Sequence, residues 1–377
     1  MDLPRLKIGF DIETLMPVYV TDRYLHILLM GKSGTGKSTS ISNWWETDHY
    51  YKNAKVLVDP AGSLALDCYS ISGGRFASQD HPISINPMKA PYTDSQISDI
   101  IAEAVNQVVT VTTPNQAFTV KMRGILDQAV KWCLNHNRRS LLNVLDYVTN
   151  QQGDKETRDG IIARLTFILN DPRMEKLLCG KDTVEWGELI KKRETFILSC
   201  FGMSREKMVF AGSLVAHGIH SYFRYARPAE YLPVSIFFDE CHNFVSVSLS
   251  DILKEGRKYK LSCVLATQDF AVIEERMARV MLNVGNIISY RLGYREAGFV
   301  ARELDMSSQD IQFIEKYNVA YLTPKGRGMA KAQRPPLFVP RVPPTAPVEP
   351  QRNSKKPSWF TLEPMESYPN SLNQNEG

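Results

Sequence analysis

The amino-acid sequence predicts an α/β fold built on a mainly parallel β-sheet, and three observations support this prediction. Apolar, strand-like runs alternate with segments in which apolar residues recur at helical spacing. A glycine-rich turn directly follows the first long apolar run. The chain of 377 residues is also long enough to bury a large core. Alternation of this kind implies parallel strands that are covered by helices on both faces.

The first part of the predicted α/β domain covers residues 1–92. The run Tyr24–Met30 predicts a strand that leads into the glycine-rich turn, and a helix is expected at about Lys37–Thr47. A second strand is predicted at Lys55–Asp59, because a proline and a glycine soon follow this apolar run. Strand, turn, helix and strand thus follow one another in the order of a βαβ unit.

Residues 93–192 show a different pattern. Apolar residues recur there at helical spacing, and no comparable strand-like run interrupts them. We therefore predict an all-helical subdomain that is inserted into the α/β domain. The expected helices cover 94–109, 116–134, 140–150 and 158–170.

The alternation of strands and helices resumes in residues 193–333, which form the second part of the α/β domain. The strand-like runs are apolar and short, and helix-like stretches separate them. The predicted strands are Thr195–Phe201, Val234–Phe238, Leu261–Ala266, Asn286–Tyr290 and Ala320–Thr323.

Residues 334–377 are rich in proline and polar residues, which predicts a disordered tail. Seven prolines between residues 335 and 350 break any regular pattern. The pair Trp359–Phe360 is the one aromatic cluster of the tail. It could dock on a partner or lie loosely on its own domain, and the sequence favours neither.

The charge of the chain does not indicate a generally basic surface. Lys and Arg number 45 against 41 Asp and Glu, so the formal net charge is only +4. A nucleic-acid contact would therefore need a local patch, or a ring that concentrates charge.

The cysteines, histidines and hydropathy indicate an intracellular protein without a metal cluster. The six cysteines form no CxxC pair, and several lie in apolar runs, which predicts reduced and buried thiols. His217 and His220 lack further ligands at suitable spacing, so packing or surface positions are expected. No stretch reaches the ~18 apolar residues of a membrane span, and no signal peptide is visible. A cytoplasmic location is predicted.

Residues 31–38 carry the clearest motif, because Gly-Lys-Ser-Gly-Thr-Gly-Lys-Ser matches G-x-x-x-x-G-K-[ST] without a mismatch. Glycines allow the loop to wrap a phosphate with backbone N–H groups, and the following helix directs its positive end at the anion. Lys37 is expected at the β and γ phosphates, and Ser38 at Mg²⁺. ATP and Mg²⁺ are the predicted cofactors. The predicted binding residues are Gly31, Lys32, Ser33, Gly34, Thr35, Gly36, Lys37, Ser38 and Thr39.

Two carboxylates follow the predicted strand Val234–Phe238. Ligands bind at the carboxyl ends of the strands in open parallel sheets. Asp239 is therefore expected to hold Mg²⁺ through water, and Glu240 to polarise the attacking water. Gln268 follows the next strand and could report on the γ-phosphate or orient water. It could also be a polar strand cap.

The charged segment 254–259 allows two interpretations. Its cations could complement the dipole of a helix end in solvent. Alternatively, Arg257 could face the nucleotide of a neighbouring subunit, where an arginine supplied in trans accelerates hydrolysis by about 10³–10⁵.

These motifs resemble the HerA/FtsK superfamily of ring-forming P-loop motors with a RecA-like nucleoside-triphosphatase domain. Within it, the chain is most similar to the soluble domains of type IV coupling proteins and type IV secretion ATPases, and to related viral genome-packaging ATPases. The resemblance covers roughly residues 20–325. The matching stretches are His26–Ser38, "LVDPAGSLA" at 57–65, "INPM" at 85–88, "FFDECHNF" at 237–244 and "EGRKYKLSCVLATQ" at 255–268.

The resemblance implies a role for each motif residue. The phosphate and Mg²⁺ ligands would lie in the P-loop and at Asp239, with Glu240 on the water. Gln268 would be a γ-phosphate sensor, and Arg257 the arginine supplied in trans. The helical insert looks like the all-helical domain that coupling proteins carry between their two nucleotide motifs.

The resemblance further implies a hexameric ring that moves DNA through a central pore by phosphate contacts, without strong sequence preference. Candidate grips are Arg205, Lys207 and the turn Lys325–Arg327, all of which could equally be solvated surface charge. The membrane anchor of coupling proteins and the N-terminal β-barrel of HerA helicases have no counterpart in this sequence. Genome packaging or DNA transfer is the expected role, with a capsid or secretion channel as a further partner.

Three other functions stay open. The same ring could move protein, as an ATPase that energises a secretion apparatus. A small-molecule P-loop kinase would need an arginine-bearing lid. A nucleotide-switched scaffold would bind ATP and barely hydrolyse it.

Overall fold

The structure is a computed structural model that describes residues 2–112, 118–152, 154–244, 247–270, 272–273 and 275–343. Strands and helices alternate along these ranges. The strands are β1 (Leu6–Asp11), β2 (Pro17–Val20), β3 (Ile27–Met30), β4 (Ala54–Asp59), β5 (Arg75–Ala77), β6 (Thr195–Ser199), β7 (Val234–Phe238), β8 (Leu261–Thr267), β9 (Asn286–Ser289), β10 (Asn318–Thr323) and β11 (Gly326–Ala332).

All of these strands belong to one sheet, in the order β2-β1-β11-β10-β9-β3-β8-β7-β4-β6-β5. Neighbours from β9 to β5 pair in parallel, whereas β10, β11, β1 and β2 add an antiparallel extension. Met30 of β3 pairs with Thr267 of β8, and Phe238 of β7 pairs with Val58 of β4. The residues that follow β3, β4, β7 and β8 therefore share one edge of the sheet.

The α-helices of the same ranges are α1 (Lys37–Tyr50), α2 (Ser63–Ser72), α3 (Asp94–Thr112), α4 (Val120–Asn135), α5 (Leu141–Asn150), α6 (Lys155–Leu169), α7 (Pro172–Cys179), α8 (Trp186–Lys191), α9 (Arg205–Ser221), α10 (Val247–Glu255), α11 (Glu275–Leu282), α12 (Tyr294–Leu304) and α13 (Ser308–Gln312). Where the structure describes a helix, it lacks the combination of length and apolarity that crossing a bilayer requires.

The sheet separates two hydrophobic cores, because successive strand residues point to opposite faces. On one face, Leu57 and Phe237 pack with helices α1 and α2. The ring of Trp45 meets that of Phe237 edge to face, with centroids 5.4 Å apart. On the other face, Val58 and Phe238 belong to a larger core that includes α3 to α12. Helices on both faces confirm the predicted layered α/β architecture.

The described segment between β5 and β6 consists of a 3₁₀ helix at Pro87–Lys89, helices α3 to α8 and loops, with one isolated bridge between Ser84 and Thr183. Apolar residues of these helices join the core beneath the sheet. The domain boundaries at 92, 192 and 333 stay predictions.

Strand β10 overlaps the predicted strand Ala320–Thr323, whereas β11, β1 and β2 of the antiparallel extension were not predicted from the sequence. Strand β11 reads Gly-Arg-Gly-Met-Ala-Lys-Ala, which lacks an apolar run, and only its pairing with β10 and β1 makes it a strand. Tertiary pairing of this kind overrides local propensity.

The chain after β11 runs back over the domain without helix or strand as far as residue 343. Asn43 Nδ2 donates a hydrogen bond to the Arg334 carbonyl at 3.0 Å, and Arg341 N donates to Ser70 Oγ at 3.0 Å. The remainder of the predicted tail, including Trp359–Phe360, lies outside the described residues.

A buried polar network ties the amino end of the sheet to α1. Arg23 donates to both carboxylate oxygens of Asp48, at 2.6 and 2.8 Å, and Nη2 also reaches Ser235 Oγ at 2.8 Å. Asn53 Nδ2 donates to Asp48 Oδ1 at 3.1 Å. Arg23 and Asp48 are both almost fully buried, so water does not solvate their charges. Each charge is neutralised by the other instead.

The cysteines and helix histidines have structural positions. All six thiols are free, and every one except that of Cys179 is buried. His217 and His220 are buried in α9, and burial lowers the pKa of His217 to about 3, so it is neutral.

Candidate nucleotide-binding site

The turn between β3 and α1 has the backbone geometry of a phosphate-binding loop. Gly34 and Gly36 have φ angles of 73° and 124°, a region that other residues rarely adopt. Thr35 Oγ1 donates to the Lys32 carbonyl at 2.8 Å, which closes the turn. Because α1 begins at Lys37, the first N–H groups of this helix lack intrahelical acceptors and are available to an anion.

Tyr290, directly after β9, packs against this loop. A Cβ atom on Gly31 would lie 2.7 Å from Tyr290 Cβ, and one on Gly36 would lie 2.9 Å from Tyr290 Cε1. The Tyr290 hydroxyl is 2.8 Å from Ser40 Oγ in α1. Glycine is therefore required at both positions for close packing as well as for conformation.

The Lys37 side chain turns back over its own loop. Its Nζ donates to the Gly31 carbonyl at 2.7 Å and lies 3.9 Å from Glu240 Oε1. Burial lowers the pKa of Lys37, while the charges of Glu240 and Asp239 act in the opposite direction. Among the residues that the structure describes, the hydrogen bonds of this buried ammonium go to loop carbonyls, so it is well placed to bind a more strongly charged phosphate.

Asp239 lies at the carboxyl end of β7 and is almost fully buried. Burial raises its pKa to about 7, and the nearby charges of Asp59 and Glu240 add to this effect. Asp59 ends β4, and its oxygens already accept from the N–H groups of Ala61 and Ala65 at 2.9 and 2.8 Å. A bound cation would therefore stabilise the charged form of Asp239 more than that of Asp59.

This donor set fits Mg²⁺. A hard cation prefers carboxylate, hydroxyl and water oxygens, and it usually keeps several of its waters beside phosphates. Asp239 and Ser38 both line one cavity and supply such oxygens. They are the residues that would hold the ion.

Glu240 is held between Lys37 and the end of β8. It has a left-handed backbone, with φ of 42°, which is strained for a glutamate. Gln268 N donates to Glu240 Oε2 at 3.3 Å, and His242 Nδ1 lies 3.5 Å from the same oxygen. These contacts leave Oε1 directed toward Lys37. Gln268 itself is exposed, and only its backbone bonds to Glu240.

These groups border a cavity of about 720 Å³. One wall is the phosphate-binding loop with the two carboxylates, and the other is formed by Tyr317 and by residues 331–335, at the end of β11 and directly after it. The volume is within the usual range of small-molecule sites, about 300–1,000 Å³. The lining residues are Ser33, Gly34, Thr35, Gly36, Lys37, Ser38, Thr39, Ala61, Ser63, Asp239, Glu240, Tyr290, Tyr317, Lys331, Ala332, Gln333, Arg334 and Pro335.

Arg257 lies at the opposite edge of the sheet. It precedes β8, whose seven residues separate it from Gln268 by about 20 Å at the usual rise per residue. Its side chain is 67% exposed and forms an ion pair with Asp22 at 3.5 Å. Such a surface pair is weak, so it would not prevent Arg257 from contacting another molecule.

The structure thus brings most of the predicted residues together at one cavity. The side chains of Lys32 and Gln268 do not line it, and Arg257 is remote from it. Sequence reasoning missed Asp59, Tyr290, His242 and the segment 331–335. Asp59 could have been found, because it ends a predicted strand in the same way as Asp239. The segment 331–335 has no comparable sequence signal.

The fold and this geometry define an α/β protein of the predicted RecA-like type with a candidate phosphate-binding loop. Among solved structures, the bacterial conjugative coupling protein TrwBdeltaN70 is similar, with a TM-score of 0.70 at 14% identity over 90% of each chain. Plasmid coupling protein TrwB in complex with ADP and Mg²⁺ has a TM-score of 0.69 at 15% identity, covering 85% of this chain and 87% of that one. VirB4 of Thermoanaerobacter pseudethanolicus has a TM-score of 0.68 at 12% identity, covering 89% and 98%. No protein-family profile and no curated protein sequence matches the chain. The similarities confirm the fold.

The raised pKa of Asp239 predicts that Asp239→Asn stabilises the nucleotide-free protein. The carboxyl titrates at about 7 when folded and near 3.8 when unfolded, so wild-type stability falls as pH rises between these values. Asparagine carries no such cost. At pH 8 the free energy of unfolding of the variant should exceed that of wild type by at least about 1 kcal/mol.

Urea unfolding at pH 8 and at pH 4, without Mg²⁺ or nucleotide, measures this difference. The advantage of Asp239→Asn should be fully present above pH 7 and vanish toward pH 4. Asp159→Asn, an exposed carboxylate on α6, is the control and should show neither effect. Equal stability of wild type and Asp239→Asn at both pH values would contradict the electrostatic description of the site.

Proposed function

We propose that this chain is an ATP hydrolase that uses Mg²⁺ and acts as a DNA translocase, in genome packaging or conjugation-like DNA transfer. One observation carries the hydrolase proposal. The buried Lys37 ammonium, the Asp239 carboxyl and the Glu240 carboxylate converge at one cavity behind a glycine-rich turn. The similar fold of TrwB, a conjugative coupling protein solved with ADP and Mg²⁺, supports the choice of ligand and of DNA transfer.

Each residue of the site has a role in this proposal. The N–H groups at the start of α1 and the Lys37 ammonium hold the phosphates. Ser38 and Asp239 would hold Mg²⁺, which neutralises charge on the phosphate oxygens when it is bound. Glu240 Oε1 accepts a hydrogen bond from the attacking water, while Gln268 N restrains the other oxygen. The segment 331–335 excludes solvent from one side of the cavity.

Ring assembly is the second component of the proposal. Arg257 is exposed at the edge of the sheet that lies away from its own nucleotide cavity. Only another copy of the chain can therefore bring an Arg257 side chain to a nucleotide. A closed ring, such as the predicted hexamer, supplies one such arginine to every site.

The candidate DNA grips differ in their contacts. Lys207 Nζ lies 3.5 Å from Asp171 Oδ2, and Arg327 pairs with Asp305, so these cations are partly neutralised. Arg205 and Lys325 are exposed. Of the predicted grips, we favour Arg205 and Lys325 for contacts to DNA phosphates.

A second candidate function is an ATPase that energises protein secretion. The observation in its favour is the similar fold of VirB4. A capsid or secretion-channel partner stays a prediction under either function. DNA separates the two functions, because a DNA translocase should hydrolyse ATP faster when DNA is added. Equal turnover with and without double-stranded DNA would favour the secretion ATPase.

Mixing wild type with Arg257→Ala tests the ring. If each nucleotide site uses the arginine of a neighbour, the variant should poison mixed assemblies, and DNA-stimulated turnover should fall more steeply than its fraction in the mixture. The pure variant should lose about 10³-fold or more in rate. Lys258→Ala, the adjacent exposed cation, is the matched control. A linear decline with the fraction of Arg257→Ala would argue against sites shared between subunits.

A further inference from the structure

A second cavity lies at the opposite edge of the sheet, at the amino ends of β4 and β6. Its volume is about 570 Å³, and it is separate from the nucleotide cavity. Its lining is strongly basic. The lysines and arginines are Lys52, Lys55, Arg75, Lys192 and Arg193, and Glu194 is the only carboxylate among the lining residues.

The acidic groups nearby are already paired. Glu194 Oε2 lies 2.8 Å from Arg75 Nη2, so this pair is neutral overall. Lys192 Nζ lies 3.8 Å from Glu188 Oε2, an exposed and loose contact. Within the described ranges, Lys52 and Arg193 have no carboxylate in ion-pair distance. The cavity therefore carries excess positive charge at its rim.

Lys55 forms the buried floor of this cavity. It is 2% exposed, and no hydrogen bond or ion pair of its Nζ is found among the residues that the structure describes. The ammonium lies 5.3 Å from the ring centre of Trp45. Burying a cation without a direct partner is costly, and proteins normally pair it.

Asp48 attracts the Lys55 ammonium, but its carboxylate oxygens are already hydrogen-bonded to other groups. Both of its oxygens accept from Arg23, and Asn53 donates to Oδ1 as well. Burial lowers the pKa of Lys55 to about 8, and the attraction of Asp48 only partly opposes this. Lys55 is thus a buried cation that lines a basic cavity, and none of the described carboxylates lies within ion-pair distance of its ammonium.

We propose that this cavity binds a phosphate group, with Lys55 as the deep contact and Lys52 and Arg193 at the rim. A phosphate presents several acceptor oxygens to donors that approach from different directions, and both Lys and Arg bind it well. The group could belong to a small phosphate compound or to the backbone of a nucleic-acid strand. This proposal is independent of ATP hydrolysis at the other edge of the sheet.

Calorimetric titration of the full chain tests the proposal. All proteins carry Lys37→Ala, which removes the ammonium of the phosphate-binding loop. Pyrophosphate is the small-phosphate probe, and a single strand of about ten nucleotides is the nucleic-acid probe. Lys55→Met keeps the length of the side chain and removes its charge. Lys155→Met, an exposed lysine on α6, makes the same change far from the cavity.

Lys55→Met should weaken binding of at least one probe by about tenfold or more, and Lys155→Met should leave both affinities within about twofold. An effect on pyrophosphate alone assigns a small phosphate ligand, and an effect on the strand assigns a nucleic-acid backbone. If Lys55→Met lowers the melting temperature, Arg193→Gln at the exposed rim provides the same comparison. No binding of either probe, or equal binding by these variants and the control, would overturn the proposal.

Discussion

Lys37→Ala should reduce ATP turnover by at least about 100-fold, the loss typical of removing one preorganised electrostatic contact. The ammonium is buried at the start of α1, beside the Gly31 carbonyl and 3.9 Å from Glu240. Lys32, the other lysine of the loop, does not line the cavity, and Lys331 and Arg334 belong to the opposite wall, so the loop itself has no second cation there. Nucleotide affinity should fall as well, because the charge acts on the bound phosphates before hydrolysis.

Phosphate release and binding of a fluorescent ATP analogue measure the two effects. Lys155→Ala serves as control, since it removes an exposed lysine of α6 that is remote from the site. Thermal unfolding of both variants checks that the fold persists. Wild-type turnover by a folded Lys37→Ala would show that hydrolysis, if present, uses another site.

The phosphate-binding loop and the central strands could be predicted from the sequence because their signals are local. Glycines at fixed spacing, an apolar run before them and a helix after them are all contained within a few residues. The pair Asp239 and Glu240 was found for the same reason, since it directly follows an apolar strand. For these elements the local pattern and the tertiary fold agree.

The remaining parts of the site depend on contacts between distant segments. Tyr290 packs against Gly31 and Gly36 across more than 250 residues of chain. The segment 331–335 reaches the cavity only because β11 pairs with both β10 and β1. Neither contact leaves a periodic pattern in the sequence. Tertiary contacts of this kind can be seen only once the chain is folded.

The role proposed for Arg257 depends on quaternary structure, which a single chain does not show. The sequence resemblance assigns it to a neighbour's nucleotide, and the single chain places it at the far edge of its own sheet. These two statements agree only in an assembly. The mixing experiment therefore tests the quaternary structure rather than the fold.

Glu240→Gln should separate nucleotide binding from hydrolysis. The amide keeps an oxygen that can accept from Gln268 N, so the left-handed turn after Asp239 should persist. It cannot accept a proton from water as a carboxylate does. We expect turnover to fall by about 10²–10⁴-fold while Mg²⁺·ATP is retained.

Single-turnover hydrolysis and retention of radiolabelled ATP on the purified protein measure the two properties. Glu303→Gln on α12 is the control, because it neutralises an exposed glutamate outside the cavity. If Glu240→Gln left a slow wild-type rate unchanged, Glu240 would not activate water, and the nucleotide-switched scaffold would become the better proposal. Loss of ATP binding together with turnover would instead place Glu240 in nucleotide binding, through the charge it presents to Lys37.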